Sequence, residues 1–255
     1  MPYVQISDER VFYAYHAATL GKAPSVLLVH GAGGSHLHWG YEVRSLPEAN
    51  VYAVDLPGHG RSGGSGRCSV AAYVESILGF MEVLELERAV VVGHSMGSAI
   101  ALTLGIDHPE RAQGLVLIGS GARLRVLPAI LQGLLSDFDA TVKTIVSYCY
   151  GGGATEQMKR LGLRQMLAVG ARVLHDDFVA CDSFDVMGRL ESLRAPTLII
   201  TGAEDVMTPP KYAQYLVEYV EGSQLTLIEG AGHMVMLERD KLVAQAIMRF
   251  LDVLQ

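Results

Sequence analysis

The stretch Val90-Val91-Val92-Gly93-His94-Ser95-Met96-Gly97-Ser98-Ala99-Ile100-Ala101 decides how the rest of this chain is read. A β-branched run ends in Gly-x-Ser-x-Gly, and an apolar, alanine-bearing helical pattern begins at once. The chain must pass from strand to helix within about three residues, which forces the central serine into a strained backbone conformation. The flanking glycines let backbone and helix approach where a Cβ would clash. The Ser95 hydroxyl then stands clear of the sheet edge, beside the Met96 amide at a helix N-terminus. That geometry turns a weak alcohol into a nucleophile and sets a donor where an oxyanion would form. A serine that merely N-caps the helix is the plainer alternative.

The same five-residue pattern recurs at Gly60-Arg61-Ser62-Gly63-Gly64. There it follows the turn-rich Asp55-Leu56-Pro57-Gly58-His59 and leads into more glycine, so Ser62 reads as loop. Only Ser95 has a strand before it and a helix after it.

Outward from this turn the chain keeps one rhythm. Tyr3–Ser7 and Val11–His16 alternate around Asp8-Glu9-Arg10 and read as an opening hairpin. Apolar runs follow at Ser25–Val29, Val51–Val54, Ala89–Val92, Leu115–Ile118, Leu198–Thr201 and Leu225–Ile228. Helix-period stretches lie between most of them: Val70–Leu84, Ala99–Asp107, Tyr212–Val220 and Lys241–Leu254. Strands alternating with helices imply an α/β fold, a mostly parallel sheet with helices on both faces. The rhythm breaks after Gly119-Ser120-Gly121. Residues 122–189 are helical in pattern (Leu127 to Phe138, Thr141 to Tyr148, Met158 to Leu174), interrupted by Gly151-Gly152-Gly153. That interval is too long for a plain crossover and reads as an inserted helical cap on a core formed by residues 1–121 and 190–255.

Composition narrows the function classes. At 255 residues, half of them hydrophobic, the chain can bury a sizeable core. A formal charge of −7 without any Lys/Arg cluster argues against a nucleic-acid partner. Met1–Arg10 lacks the basic-then-apolar layout of a signal peptide, and no apolar run is long enough to cross a membrane. Cys68, Cys149 and Cys181 are odd in number and show no CxxC spacing, so neither a disulfide framework nor a zinc site is expected. The expectation is a soluble, cytoplasmic chain with no metal and no membrane partner. Oligomeric state is left open.

A serine nucleophile needs a base, and the base needs a carboxylate to hold its tautomer. His233 follows the last strand run in Glu229-Gly230-Ala231-Gly232-His233, a glycine-rich loop able to aim an imidazole over the sheet edge. His59 lies in another loop at a strand end. His30 ends a strand and reads as a buried histidine bonding to loop backbone, while His94 should point away from Ser95. The acid should also follow a strand, and Leu198-Ile199-Ile200-Thr201-Gly202-Ala203-Glu204-Asp205 supplies Asp205. Glu204 is its immediate rival, and Asp182 and Asp185 are more distant ones. Asp205 could instead be an Asx-turn residue. A second oxyanion donor is expected from His30-Gly31-Ala32-Gly33-Gly34: the Ala32 N–H beside that of Met96, with Gly33 next.

With these residues in place the chain resembles the α/β-hydrolase superfamily over nearly its whole length outside the insertion. His30-Gly31-Ala32-Gly33-Gly34 resembles that family's oxyanion loop, and Asp55-Leu56-Pro57-Gly58-His59-Gly60-Arg61-Ser62 its D-x-P-G-x-G-x-S loop. Gly93–Gly97 is similar to its nucleophile elbow; Gly202-x-x-Asp205 and Gly232-His233 resemble its acid and histidine loops. The order Ser95, Asp205, His233 is also the family's. The resemblance implies a cofactor-free hydrolase acting through an acyl-enzyme, with a small-molecule ester as substrate. Serine at the nucleophile position counts against haloalkane dehalogenases and epoxide hydrolases. Met234-Val235-Met236-Leu237-Glu238 after the histidine is like the esterase, lactonase and plant methylesterase group, whereas carbon–carbon bond hydrolases often carry Trp there. Many relatives have glycine where this chain has Ser98, so slightly looser packing is expected at that point.

Substrate choice would belong to the insertion. Leu127, Ile130 and Leu131, with Gly31, Gly33 and Met234, are the substrate-binding candidates; Leu124, Leu134, Met158, Met166 and Leu167 continue the same apolar stripe, which could equally pack on the core. Arg123 could bind a substrate carboxylate or face solvent. The expected substrate is a small to medium, mostly uncharged carboxylic ester. Hydroxynitrile-lyase-like or cofactor-free perhydrolase chemistry, or a non-enzymatic ligand receptor, are the alternatives on such a fold.

Overall fold

A computed structural model describes residues 2–19 and 23–254 of the chain. Eight strands form one sheet: β1 (Tyr3–Ile6), β2 (Glu9–His16), β3 (Ser25–Val29), β4 (Asn50–Val54), β5 (Ala89–His94), β6 (Ala112–Ile118), β7 (Thr197–Gly202) and β8 (Gln224–Ile228). Their spatial order is β1-β2-β4-β3-β5-β6-β7-β8. The opening hairpin is antiparallel and β2 pairs antiparallel with β4; every later pairing is parallel. The expected α/β fold is therefore observed, and the unbroken apolar character of β5 and β7 follows from burial on both faces.

Alternate residues of each central strand serve opposite faces. Leu27, Val29, Val91, Leu115, Leu117 and Ile199 form one core with residues of α2 (Val70–Val83), α3 (Met96–Asp107) and α8 (Pro210–Tyr219). Val26, Leu28, Val90, Val92, Val116, Ile118, Leu198 and Ile200 form the other with α1 (Tyr41–Arg44) and α10 (Asp240–Val253). Because β3 to β8 run in one direction, the loops after them gather along a single sheet edge, the usual place for a site in such sheets.

Four helices intervene between β6 and β7: α4 (Pro128–Ser136), α5 (Phe138–Cys149), α6 (Glu156–Val169) and α7 (Ala171–Ser183). The segment leaves and returns at one point, where Val186 N–H donates to the Ala122 carbonyl at 2.8 Å and Arg123 bridges to Asp185. One expectation fails here. Met158–Leu174 reads as a single helix, yet Gly170, at φ 89°, divides it into α6 and α7, and α7 runs on to Ser183. The apolar period carries across the break because Met166 and Leu174 bury into the same core. A short helix, α9 (Val235–Glu238), follows His233.

Candidate active site

Ser95 has φ 53° and ψ −115°, a strained backbone for a residue with a Cβ. Its side chain makes no capping hydrogen bond to α3, which sets aside the N-cap alternative. Both glycines of the turn are required by space. A Cβ on Gly93 would lie 2.1 Å from the Gly97 carbonyl oxygen, and one on Gly97 would lie 2.0 Å from that of Val29. Ser98 does not loosen the turn as expected. Wholly buried, its hydroxyl donates to Gly93 O at 2.7 Å and accepts from Ile118 N–H at 3.0 Å, adding hydrogen bonds from α3 to β5 and β6. Ser62 is equally settled as loop: its hydroxyl donates to Asp55 O at 2.6 Å and accepts from Phe12 N–H at 2.8 Å.

His233 and Asp205 meet. The imidazole Nδ1 lies 2.8 Å from Asp205 Oδ2, and both side chains are buried. Oδ1 of the same carboxylate accepts from the amides of Met207 and Thr208, each at 2.9 Å. The Asx-turn alternative and the pairing with His233 are thus both realised, one on each oxygen. Burial alone would raise the Asp205 carboxyl, but the His233 and Thr208 donors outweigh it and hold it below its ordinary value. Thr208, three residues on in the turn that follows Asp205, also donates its hydroxyl to Oδ2 at 2.8 Å. The rivals are committed elsewhere: Glu204 accepts from Gly152 N–H, Asp182 from Val126 N–H and Asp185 from Met187 N–H.

His94, the residue before Ser95, ties the histidine loop to the serine turn. Its Nε2 donates to the His233 carbonyl at 3.0 Å, and the two rings stand 4.7 Å apart. Burial, and then proximity to His233, keep His94 neutral, well below the ordinary histidine value. With Nδ1 taken by Asp205, Nε2 is the nitrogen of His233 left for another partner. Glu238 braces the same loop, accepting from Gly232 and Gly151 N–H at 3.0 Å each.

In the loop after β3, Gly31 lies against Ser95, close enough that an added Cβ would sit 3.0 Å from the Ser95 Cβ. His30 is the buried backbone-bonding histidine expected: Nδ1 donates to Gly31 O at 2.8 Å, and Nε2 accepts from Leu56 N–H at 3.1 Å. Among the described residues no protein acceptor takes the N–H of Ala32 or of Met96. Gly33, the second choice as donor, is spent on Asp177, to which its N–H donates at 2.8 Å. Asp177 was missed. The available signal was an acid on the apolar stripe Leu174, Phe178, Cys181 of α7, at helical spacing.

Of the substrate-binding candidates, Leu127 and Ile130 border a groove of about 390 Å³ that is also lined by Arg125, Ile145, Phe178, Val206 and Met207. Leu131 and Met234 pack against the core without lining this groove, as do Leu124, Leu134, Met166 and Leu167, while Ile130 does both. Arg123 is exposed, 3.8 Å from Asp185. Among the described residues no cluster of ligating side chains is arranged for a metal ion, and no helix is long and apolar enough to cross a membrane.

Sheet topology and serine turn alike are those of the α/β-hydrolase class. The sequence profile of the alpha/beta hydrolase family matches residues 26–246, and the chain belongs to that family. A solved structure described as a thermophilic esterase is 33% identical, with 99% of this chain and 97% of that one covered and a TM-score of 0.87. The pimeloyl-(acyl-carrier protein) methyl ester esterase of Nitrosospira multiformis is 28% identical over 258 residues, 92% of this chain and 97% of its own length. An enol-lactonase from Burkholderia xenovorans shares the fold, with a TM-score of 0.91 at 20% identity, over 98% of this chain and all of that one.

Proposed function

We propose that the protein is a serine hydrolase that cleaves a small to medium carboxylic ester through an acyl-enzyme. Ser95 attacks the ester carbonyl while His233 Nε2 takes its proton, and Asp205 holds the Nδ1–H tautomer and stabilises the imidazolium. The N–H groups of Ala32 and Met96 receive the oxyanion. The leaving alcohol takes the proton from His233, and water then repeats the sequence on the acyl-enzyme. Residues 122–189 act as the cap, and the groove between Leu127, Ile130 and Met207 takes the acyl chain; its volume falls in the range of small-molecule sites.

The single observation behind this reading is the His233–Asp205 bond of 2.8 Å on a loop braced by His94, the residue next to a strained Ser95. The esterase and methyl ester esterase among its relatives support ester hydrolysis as the reaction. The test is a panel of p-nitrophenyl esters from acetate to laurate, run on wild type and Ser95→Ala. Turnover that vanishes in Ser95→Ala, with free acid and alcohol as products and an optimum at intermediate chain length, is expected. Wild-type turnover in a folded Ser95→Ala would refute the assignment.

A further inference from the structure

Two consecutive peptides in the loop after β3 are held from different sides. The Gly31 carbonyl accepts from His30 Nδ1 at 2.8 Å and from Gly34 N–H at 3.0 Å. A trans peptide directs its C=O and N–H oppositely, so these bonds aim the Ala32 N–H away from the interior of the loop. The next peptide is fixed through Gly33 N–H, which donates to Asp177 Oδ2 at 2.8 Å. Neither plane can rotate without breaking one of these bonds.

Asp177 stands on α7, 144 residues further along the chain, and is wholly buried. Its carboxylate also accepts from the Tyr73 hydroxyl of α2 and meets His59 Nε2 at 2.8 Å. Tyr73 is fixed in turn by Arg67 N–H, which donates to its oxygen at 3.0 Å. His59 Nδ1 faces the Pro57 carbonyl at 3.0 Å. Both ring nitrogens of His59 therefore face acceptors, an arrangement that only the imidazolium satisfies. Burial opposes that charge, yet Asp177 outweighs it, Asp55 adds to the attraction, and His59 is held above its ordinary value. The other groups facing it are neutral histidines. Burial and the neighbouring His59 keep His30 low, and the same two causes bring His38 down to about 4. A buried charge pair thus joins α7, α2, the loop after β4 and the loop beside Ser95.

Building on the ester-hydrolase reading of Ser95, we propose that Asp177, paired with His59, is a positioning residue for the oxyanion hole. It acts through the Gly33 amide, so α7 must be docked before the Ala32 N–H is held in place for the reacting carbonyl. Loss of its charge loosens the loop where the transition state makes its demand and leaves ground-state binding alone.

Asp177→Asn, wild type and Ser95→Ala are compared on one ester, with active sites titrated, and with a boronic acid that forms a tetrahedral adduct on serine. In Asp177→Asn, kcat falls on the order of 10- to 100-fold, less than outright removal of an oxyanion donor because the Ala32 amide is misplaced and not deleted. KM stays within about twofold, and the boronic acid binds more weakly in proportion to kcat. Wild-type kcat in folded Asp177→Asn, or a loss confined to KM, overturns the proposal. If that variant does not fold, Tyr73→Phe, which removes one of three donors to Asp177, is expected to give a smaller fall in kcat at unchanged KM; unchanged kcat there overturns it too. Turnover surviving in Ser95→Ala would instead refute the nucleophile assignment, a result the Asp177 arm cannot imitate.

Discussion

Gly97→Ala places one methyl group where α3 meets the sheet too closely for any Cβ. The added carbon would lie 2.0 Å from the Val29 carbonyl oxygen, 2.7 Å from that of His30 and 2.8 Å from the Val29 carbonyl carbon. All three are backbone atoms, two of them belonging to a central strand hydrogen-bonded on both sides, so no rotamer change relieves the clash. Overpacking costs about 1–3 kcal/mol when side chains can adjust; here the upper end applies, and at about 2–4 °C per kcal/mol for a chain of this size the Tm falls by roughly 6–12 °C. Because α3 begins at Met96, its displacement also moves the Met96 amide, and ester turnover falls with it. Gly188→Ala is the matched control: nothing lies within 4 Å of its added carbon and its φ is not positive. That substitution leaves Tm unchanged or raises it slightly by restricting the unfolded chain. Thermal unfolding by circular dichroism compares the two. A Gly97→Ala protein melting within about 2 °C of Gly188→Ala would refute the close-approach reasoning.

The two Gly-x-Ser-x-Gly matches separate cleanly under mutation: Ser95→Ala removes turnover at unchanged Tm, whereas Ser62→Ala keeps turnover and loses about 1–3 kcal/mol of stability, since its bridge between Asp55 and Phe12 is left unsatisfied. Asp205→Asn lowers kcat on the order of 10⁴-fold, the size this loss has in serine proteases. Thr208→Val removes a donor from the ionised Asp205 carboxylate, so the acid-side loss of Tm begins at higher pH than in wild type. Stability itself titrates at both ends. Asp205 is depressed in the folded state, so its contribution is present above about pH 3.9 and is lost as pH falls through the lower folded value. His59 is raised, so its contribution is present below about pH 6.5 and is lost as pH rises through the higher folded value; Asp177→Asn flattens that alkaline loss in a plot of Tm against pH.

The chain announces its strands and its serine turn because both are local. Alternation, apolar runs and a strand-to-helix junction within a dozen residues leave their period in the sequence, and the loops after β3, β5, β7 and β8 inherit their common edge from parallel pairing. His30 was legible for the same reason, since its partners are the backbone of its own loop and the start of the next. The break at Gly170 was not, because a glycine at positive φ and one within a helix look alike while the apolar period runs on. Nor did the sequence distinguish groove from core along the insertion: Leu127 stays 69% exposed while Leu134 is fully buried, with the same residue type and near-helical spacing. The Thr208 bond to Asp205 spans three residues and is local, whereas only the tertiary structure gave Ser98 its bonds to two strands and delivered Asp177 to Gly33. A carboxylate on an apolar stripe can be noticed in one dimension, but its partners are a tyrosine, a histidine and an amide from three distant elements. Hydrogen-bond partners chosen across such separations are fixed by the packing of whole layers, which no local period encodes.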